Sequence, residues 1–116
     1  MNDLKIYHNP RCSKSRQGIV LLDSKKINYD VIEYLKTPLK KNELIDILEL
    51  LNLNPIDLIR KVEPVFKEKI KGKNLNDDQI IELMIDEPKL IERPILVNEG
   101  KAAIGRPVEN LLSIIN

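Results

Sequence analysis

Apolar residues along this chain change their spacing several times, and each change predicts a new secondary-structure element. The apolar-rich segment 3–8 predicts a strand, which Pro10 ends because proline cannot donate to a β-ladder. Apolar residues at helical spacing then predict a helix at 13–25, and segment 27–35 predicts a second strand. A strand, a short helix and a strand form a βαβ unit, which favours parallel strands with a right-handed crossover.

The middle of the chain predicts helices only. Asn76, followed three residues later by Gln79, has the form of a capping box, and Pro88 ends the helix that follows. The predicted segments are a helix at 36–51, a short helix from Pro55 to about Arg60, a turn or short helix at 63–72 and a helix at 77–86.

The pattern changes again near the C-terminal end. In segment 93–105 two short apolar runs flank Gly100, which predicts a β-hairpin, and segment 106–115 predicts a helix that begins with Pro107. A βαβ unit and a ββα unit on one mixed four-stranded sheet make the thioredoxin-like arrangement. We therefore predict an α/β, thioredoxin-like fold with a helical insertion between the halves, and one domain over 1–116.

Composition excludes several classes of protein. The chain has 116 residues, of which 42% are hydrophobic and 32% charged, so it is typical of a globular protein that buries a core without disulfides or metals. A net charge of +1 gives no reason to expect nucleic acid or a membrane as a partner. A single cysteine and the absence of a signal-like apolar segment favour the cytoplasm. We expect a monomer with no metal and no bound cofactor.

The only cysteine, Cys12, falls in the predicted turn between the first strand and the first helix. Amides at a helix N-terminus stabilise a thiolate, Arg11 and Arg16 add positive charge nearby, and a protonated His8 would add more. The same groups would bind an oxyanion beside the sulfur. Ser15 stands where a C-x-x-C motif has its second cysteine, so the thiol can attack but needs an outside thiol to resolve a mixed disulfide.

Purely structural explanations compete with this one. A lone cysteine is often buried and unreactive, and His8 would serve equally as a strand-end residue bonded to nearby backbone. A single arginine is most often a solvated surface residue. The chain uses arginine sparingly, however, and three of its five arginines lie at element boundaries, namely Arg60, Arg93 and Arg106.

A proline and two glycines indicate where elements of the fold come close together. In a thioredoxin-like fold the proline at the start of the third strand faces the cysteine loop and is usually cis. Pro94 has that position, so we predict a cis Arg93–Pro94 bond with Arg93 directed into the site. Gly18 inside a helix predicts close packing, and Gly105 after the hairpin allows the backbone to turn tightly or to approach a ligand.

Four segments carry a resemblance to a known family. They are IYHNPRCSKSR at 6–16, LIRKVEP at 58–64, NDDQIIELMIDEPKLIERPILV at 76–97 and IGRPVENLLSII at 104–115. Their order resembles the glutaredoxin-dependent arsenate reductase (ArsC) family of the thioredoxin-like superfamily, and most closely its YfgD-like branch. The resemblance covers essentially the whole chain.

The resemblance implies an enzyme mechanism. Cys12 would attack arsenate and form a thiol–arsenate adduct, glutathione as co-substrate would displace the reduced arsenic, and glutaredoxin would regenerate the thiol. Arg60, Arg93 and Arg106 match the arginines that bind the oxyanion in the family, and His8 matches a histidine that keeps the thiol ionised. Arsenate is a tetrahedral dianion near neutral pH, which planar guanidinium groups suit better than lysine does.

Two departures from the best-established members of the family concern the substrate. Those enzymes read C-G-T-S-R where this chain reads C-S-K-S-R at 12–16, and they have one more residue between the LIR arginine and the E-P pair. The alternatives are another glutathione-linked thiol reductase and an Spx-like regulator that binds RNA polymerase. Ser15 counts against the C-x-x-C switch that is usual in Spx-like proteins.

Overall fold

A computed structural model of the protein describes residues 4–115, which contain four strands and four α-helices. The strands are β1 at Leu4–Tyr7, β2 at Asp30–Ile32, β3 at Ile95–Asn98 and β4 at Lys101–Ile104. The helices are α1 at Ser13–Ser24, α2 at Lys41–Leu51, α3 at Pro64–Lys69 and α4 at Asp77–Asp86. Short 3₁₀-helices occupy Pro55–Leu58, Pro88–Leu90 and Val108–Ile114.

These elements belong to two compact units. The first unit contains the residues up to Thr37 and those from Arg93 onward, and the second contains Pro38–Glu92. The second unit thus corresponds to the predicted helical insertion, since it interrupts the first unit along the chain. A single domain over 1–116 stays a prediction.

The first unit is built on a mixed sheet with the strand order β2-β1-β3-β4. β1 is parallel to β2 and antiparallel to β3, and β3 is antiparallel to β4. Tyr7, the last residue of β1, is opposite Ile32 at the end of β2 and Ile95 at the start of β3, and Ile95 is opposite Ile104 at the end of β4. This topology confirms the thioredoxin-like fold and brings all four strands to one edge.

The core of the first unit is aliphatic. Ile6, Leu22, Leu96 and Leu111 are fully buried in one cluster. A Cβ atom on Gly18 would lie 3.1 Å from Pro94 Cγ, and a Cβ atom on Gly105 would lie 2.8 Å from the same atom. The first distance confirms the close packing predicted at Gly18, and the second shows that Gly105 is packed closely as well.

In the second unit a local sequence signal defines the start of α4, and ion pairs join α2 to α4. The predicted capping box is present, because the backbone N–H of Gln79 donates to Asn76 Oδ1 at 2.8 Å and that of Asn76 donates to Gln79 Oε1 at 2.9 Å. The Lys41 Nζ on α2 forms ion pairs with Asp78 at 2.7 Å and with Glu82 at 2.8 Å on α4. Within this unit Ile59 and Ile91 form an isolated antiparallel bridge.

Several predicted boundaries were wrong. β2 covers only Asp30–Ile32 instead of 27–35, and α2 begins at Lys41 instead of 36, because the residue before Pro38 is disfavoured in helical geometry. The segments predicted as helices after Pro55 and Pro107 adopt 3₁₀ geometry instead of α-helical geometry. Among residues 4–115 no helix combines the length and apolar character needed to span a bilayer.

Candidate active site

The shared edge of the sheet brings together residues that are far apart in sequence. The loop after β1 carries Cys12, the residues before β3 are Arg93 and Pro94, and Arg106 follows β4. The Arg93–Pro94 peptide bond is cis, as predicted, and the Arg106–Pro107 bond is cis as well. The first unit therefore places one thiol and two guanidinium groups at one site.

Ser15 organises the loop that carries the thiol. Its side chain is fully buried, and its Oγ accepts a hydrogen bond from the Asn9 N–H at 2.9 Å and lies 2.7 Å from His8 Nδ1. The Asn9 carbonyl in turn accepts from the Cys12 N–H at 3.0 Å. The serine in place of a second cysteine thus connects the first turn of α1 to the end of β1.

Cys12 is the N-cap residue of α1 and is partly exposed. Burial raises the pKa of this thiol, but the Ser15 N–H, the Arg93 side chain and the Lys14 N–H together lower the pKa further than burial raises it, so the net shift is downward. The sulfur makes no full capping hydrogen bond, so the amides act over a longer distance as a helix N-terminus does. A larger thiolate fraction near neutral pH follows.

Two arginines face the sulfur. Arg106 Nη2 lies 3.6 Å from Cys12 Sγ, and Arg106 Nε donates to the Arg93 carbonyl at 2.8 Å. Arg93 also hydrogen-bonds the sulfur through its side chain and is 8% exposed. An anion bound beside Cys12 would meet both guanidinium groups, since each has several N–H groups in one plane.

The predicted positive charge on His8 is a point of correction. Desolvation by burial and the nearby Arg16 lower the pKa of His8 more than Glu33 and Ser15 raise it, so the imidazole is neutral near pH 7. A neutral ring fits its contact, because Ser15 Oγ can accept from Asn9 and donate its own proton to His8 Nδ1. The lowered pKa favours the neutral ring, whose contact with the loop is the hydrogen bond to Ser15.

The other predicted residues have different positions. Arg16 is exposed and donates to the Pro10 carbonyl at 2.9 Å, and Arg11 donates its backbone N–H to Asn9 Oδ1 at 3.0 Å. Both arginines thus contribute to the loop, and the lowered pKa of Cys12 has other causes. Arg60 belongs to the second unit, where its Nε lies 3.6 Å from Glu63 Oε2.

Two residues at this edge were missed by the sequence reasoning. Asn9 is 7% exposed and shapes the loop with its carbonyl and its side chain, whereas the Asn-Pro pair had indicated only a turn. Tyr34 is fully buried and hydrogen-bonds Arg93. Nothing in the sequence distinguished Tyr34 from an ordinary core aromatic residue.

Comparisons with known proteins agree with this geometry. The model of the ArsC family matches residues 7–114. The chain is 45% identical over 114 residues to the protein of Escherichia coli K12 named "Uncharacterized protein YfgD", covering 97% of this chain and 96% of that one. It is 41% identical to an arsenate reductase of Neisseria meningitidis serogroup A, covering 99% and 100%.

A solved structure extends the likeness to three dimensions. The structure called arsenate reductase from Vibrio cholerae is 43% identical and superposes with a TM-score of 0.92, covering 97% of each chain. The match of the family model from Tyr7 to Ile114 includes every residue of the site described above. With its thiol at the N-terminus of α1, its arginines before β3 and after β4, and relatives that align over nearly their full length, the chain belongs to the ArsC family.

Proposed function

We propose that this protein is a cytoplasmic arsenate reductase that uses glutathione and glutaredoxin. The observation that supports this most directly is the pair of guanidinium groups on one thiol: Arg106 Nη2 lies 3.6 Å from Cys12 Sγ, and Arg93 hydrogen-bonds the same sulfur. A tetrahedral oxyanion beside that sulfur would receive charge-assisted hydrogen bonds from both. The relatives named arsenate reductase supply the choice of oxyanion.

The proposed reaction begins at Cys12. Its thiolate attacks arsenic, a sulfur–arsenic bond forms, and one arsenate oxygen leaves as water. A glutathione thiolate then attacks Cys12 Sγ, and the electron pair of the sulfur–arsenic bond remains on arsenic, which leaves as arsenite. Glutaredoxin removes glutathione from the resulting mixed disulfide, and a second glutathione regenerates glutaredoxin. Overall, arsenate and two glutathione molecules give arsenite, glutathione disulfide and one water.

Each residue of the site has a role in this scheme. The amides of α1 and Arg93 stabilise the attacking thiolate, while Arg93 and Arg106 bind the oxyanion. Arg60 is added to the oxyanion ligands on the family resemblance. Ser15, His8, Arg16 and Pro94 support the shape of the loop and of the strand that faces it.

A coupled assay tests the proposed function. Purified protein is incubated with arsenate, glutathione and a glutaredoxin, and arsenite release is measured beside a Cys12→Ser control. We expect arsenite only with the parent protein, and a large decrease when either glutathione or glutaredoxin is omitted. Release by the Cys12→Ser variant at the parent rate, or no release by the parent with all components present, would contradict the proposal.

Oxyanion binding gives a second prediction that is independent of turnover. Replacing Arg60, Arg93 or Arg106 by lysine keeps the charge but removes the two-pronged contact, which should weaken arsenate or sulfate binding about 10- to 100-fold. Isothermal titration measures it, with thermal melts alongside. Because Arg93 is 8% exposed, its variant should also melt at a lower temperature. Parent-like affinity in all three variants would show that these arginines do not bind the oxyanion.

A further inference from the structure

The fully buried Tyr34 lies two residues after β2, at the sheet edge that carries the active site. A buried tyrosine hydroxyl requires a hydrogen-bond partner, because burying it unpaired is costly. Its partner is the side chain of Arg93. The segment after β2 therefore contributes to the site through Arg93, as segments next to the other three strands do.

The Arg93 side chain lies between two hydrogen-bonding groups. Its guanidinium bonds the Tyr34 hydroxyl and the Cys12 sulfur, and the Arg93 carbonyl accepts from Arg106 Nε at 2.8 Å. A guanidinium is rigid and planar, so an acceptor on one edge determines where the remaining N–H groups point. The orientation of Arg93 toward the sulfur thus depends on what its other contacts are.

The chemistry of the acceptor matters as much as its position. A carboxylate partner would orient an arginine and also compensate its charge, as in the pair of Arg60 and Glu63 in the second unit. A tyrosine hydroxyl near neutral pH carries no charge. It therefore orients Arg93 and leaves the positive charge available to a thiolate or an oxyanion.

We propose that Tyr34 is a positioning residue for this active site, whose hydroxyl accepts a hydrogen bond from Arg93 and directs the guanidinium toward Cys12 and the bound oxyanion. The part that concerns the oxyanion rests on the proposed function. The part that concerns the thiol does not, because Arg93 faces the sulfur together with Arg106 and the N–H groups of Lys14 and Ser15.

The test removes one hydroxyl and compares it with a matched control. Tyr34→Phe deletes only the proposed acceptor, and Tyr29→Phe deletes the exposed hydroxyl that donates to Asp23 Oδ1 at 2.6 Å. For each variant we measure the rate of Cys12 alkylation by iodoacetamide against pH, and sulfate affinity by titration. Tyr34→Phe should move the alkylation midpoint to higher pH and weaken sulfate binding about tenfold, whereas Tyr29→Phe should match the parent.

A double-mutant cycle separates positioning from general structural support. If Tyr34 acts through Arg93, Tyr34→Phe should change neither the alkylation profile nor the sulfate affinity of an Arg93→Gln protein. Parent-like behaviour of the single Tyr34→Phe variant would overturn the proposal, and so would an effect that persists undiminished in the Arg93→Gln background. A thiol effect that follows the cycle supports the proposal even if the protein fails to reduce arsenate, a failure that would count against the proposed function alone.

Discussion

At the scale of the residue, Cys12 has two kinds of positive neighbour. The backbone N–H groups of Ser15 and Lys14 come from its own helix, and the Arg93 guanidinium comes from the segment before β3. Both stabilise the thiolate more than the neutral thiol, and together they outweigh the opposite effect of burial on the pKa. The reactivity of this cysteine is thus a property of its position in the fold.

The rate of alkylation against pH should report the lowered pKa of Cys12. We expect a midpoint below about 8.5, the ordinary value for a free cysteine. The control is the same protein in concentrated urea, where the amides and Arg93 no longer face the sulfur and the midpoint should return to the ordinary value. Equal midpoints in the folded and unfolded protein would contradict this prediction.

The sequence predicted a nucleophilic Cys12 with Arg93 in the same site, but it also predicted that Arg11 and Arg16 would add to the positive charge on the thiol. Arg11 and Arg16 flank Cys12 in the sequence, yet Arg16 is exposed and bonds a loop carbonyl. The local sequence did predict the effect of the helix N-terminus on the thiol, because the N–H groups of Lys14 and Ser15 follow Cys12 directly in the chain. The position of Arg93 next to the sulfur depends on strand pairing, and it was predicted only through the expected thioredoxin-like sheet, in which the segment before β3 faces the cysteine loop.

At the scale of the element, helix capping is where sequence and structure agree best. α4 begins at Asp77 as predicted, because the capping box at its start is formed entirely by residues three apart. The boundaries of β2 and α2 were less accurate. The length of a strand depends on the strand that it pairs with, and the local sequence pattern does not specify that partner.

The cap of α4 gives a prediction about stability. Asn76→Ala removes the acceptor of the Gln79 N–H, which should lower the free energy of unfolding by about 1 kcal/mol. Asn74→Ala is a matched control, since it makes the same change at an exposed position two residues before the cap. Urea unfolding of both variants and the parent measures the difference. An equal effect of the two substitutions would show that the cap contributes nothing.

Packing between elements of the first unit gives a further prediction. In Gly105→Ala the new methyl group would lie 2.8 Å from Pro94 Cγ and 3.2 Å from Leu111 Cγ, so atoms of the core must move, at a cost of about 1–3 kcal/mol. In Gly18→Ala the nearest contact is 3.1 Å, and a gain in helix propensity of about 1 kcal/mol offsets part of the strain.

The two alanine variants should therefore differ in thermal stability. Gly105→Ala should melt well below the parent, and Gly18→Ala should fall between the two. Thermal melts followed by circular dichroism measure the order. A Gly105→Ala protein that melts at or above the temperature of Gly18→Ala would show that the segment after β4 adjusts without cost.

At the scale of the whole molecule, two ionisable groups link stability to pH. The pKa of His8 is lowered chiefly by burial, and that of Cys12 is lowered by amides and Arg93 against the effect of burial. When the folded pKa is below the unfolded one, the unfolded chain binds more protons between the two values, so stability rises with pH across that interval. The upper limit of this pH range, the unfolded pKa, is about 6.5 for His8 and about 8.5 for Cys12.

Comparison with Cys12→Ser isolates the contribution of the thiol. The free energy of unfolding of the parent minus that of the variant should increase as the pH rises through the folded pKa of Cys12, and should become constant above about pH 8.5. Urea titrations at several pH values in the presence of a reductant provide the measurement. A difference that is constant throughout, or that decreases with rising pH, would mean that the thiol is not stabilised as an anion.

The strand pairing of the sheet also determines when Cys12 becomes reactive during synthesis and folding. Tyr7 pairs with Ile95, a separation on the order of 90 residues, and such long-range pairings form late and slow folding. On the ribosome Cys12 emerges before Arg93 and Arg106, which follow it by about 80 and about 94 residues. The nascent protein therefore carries a thiol of more ordinary reactivity until β3 and β4 are in place, and the appearance of a reactive Cys12 marks the completion of the described sheet.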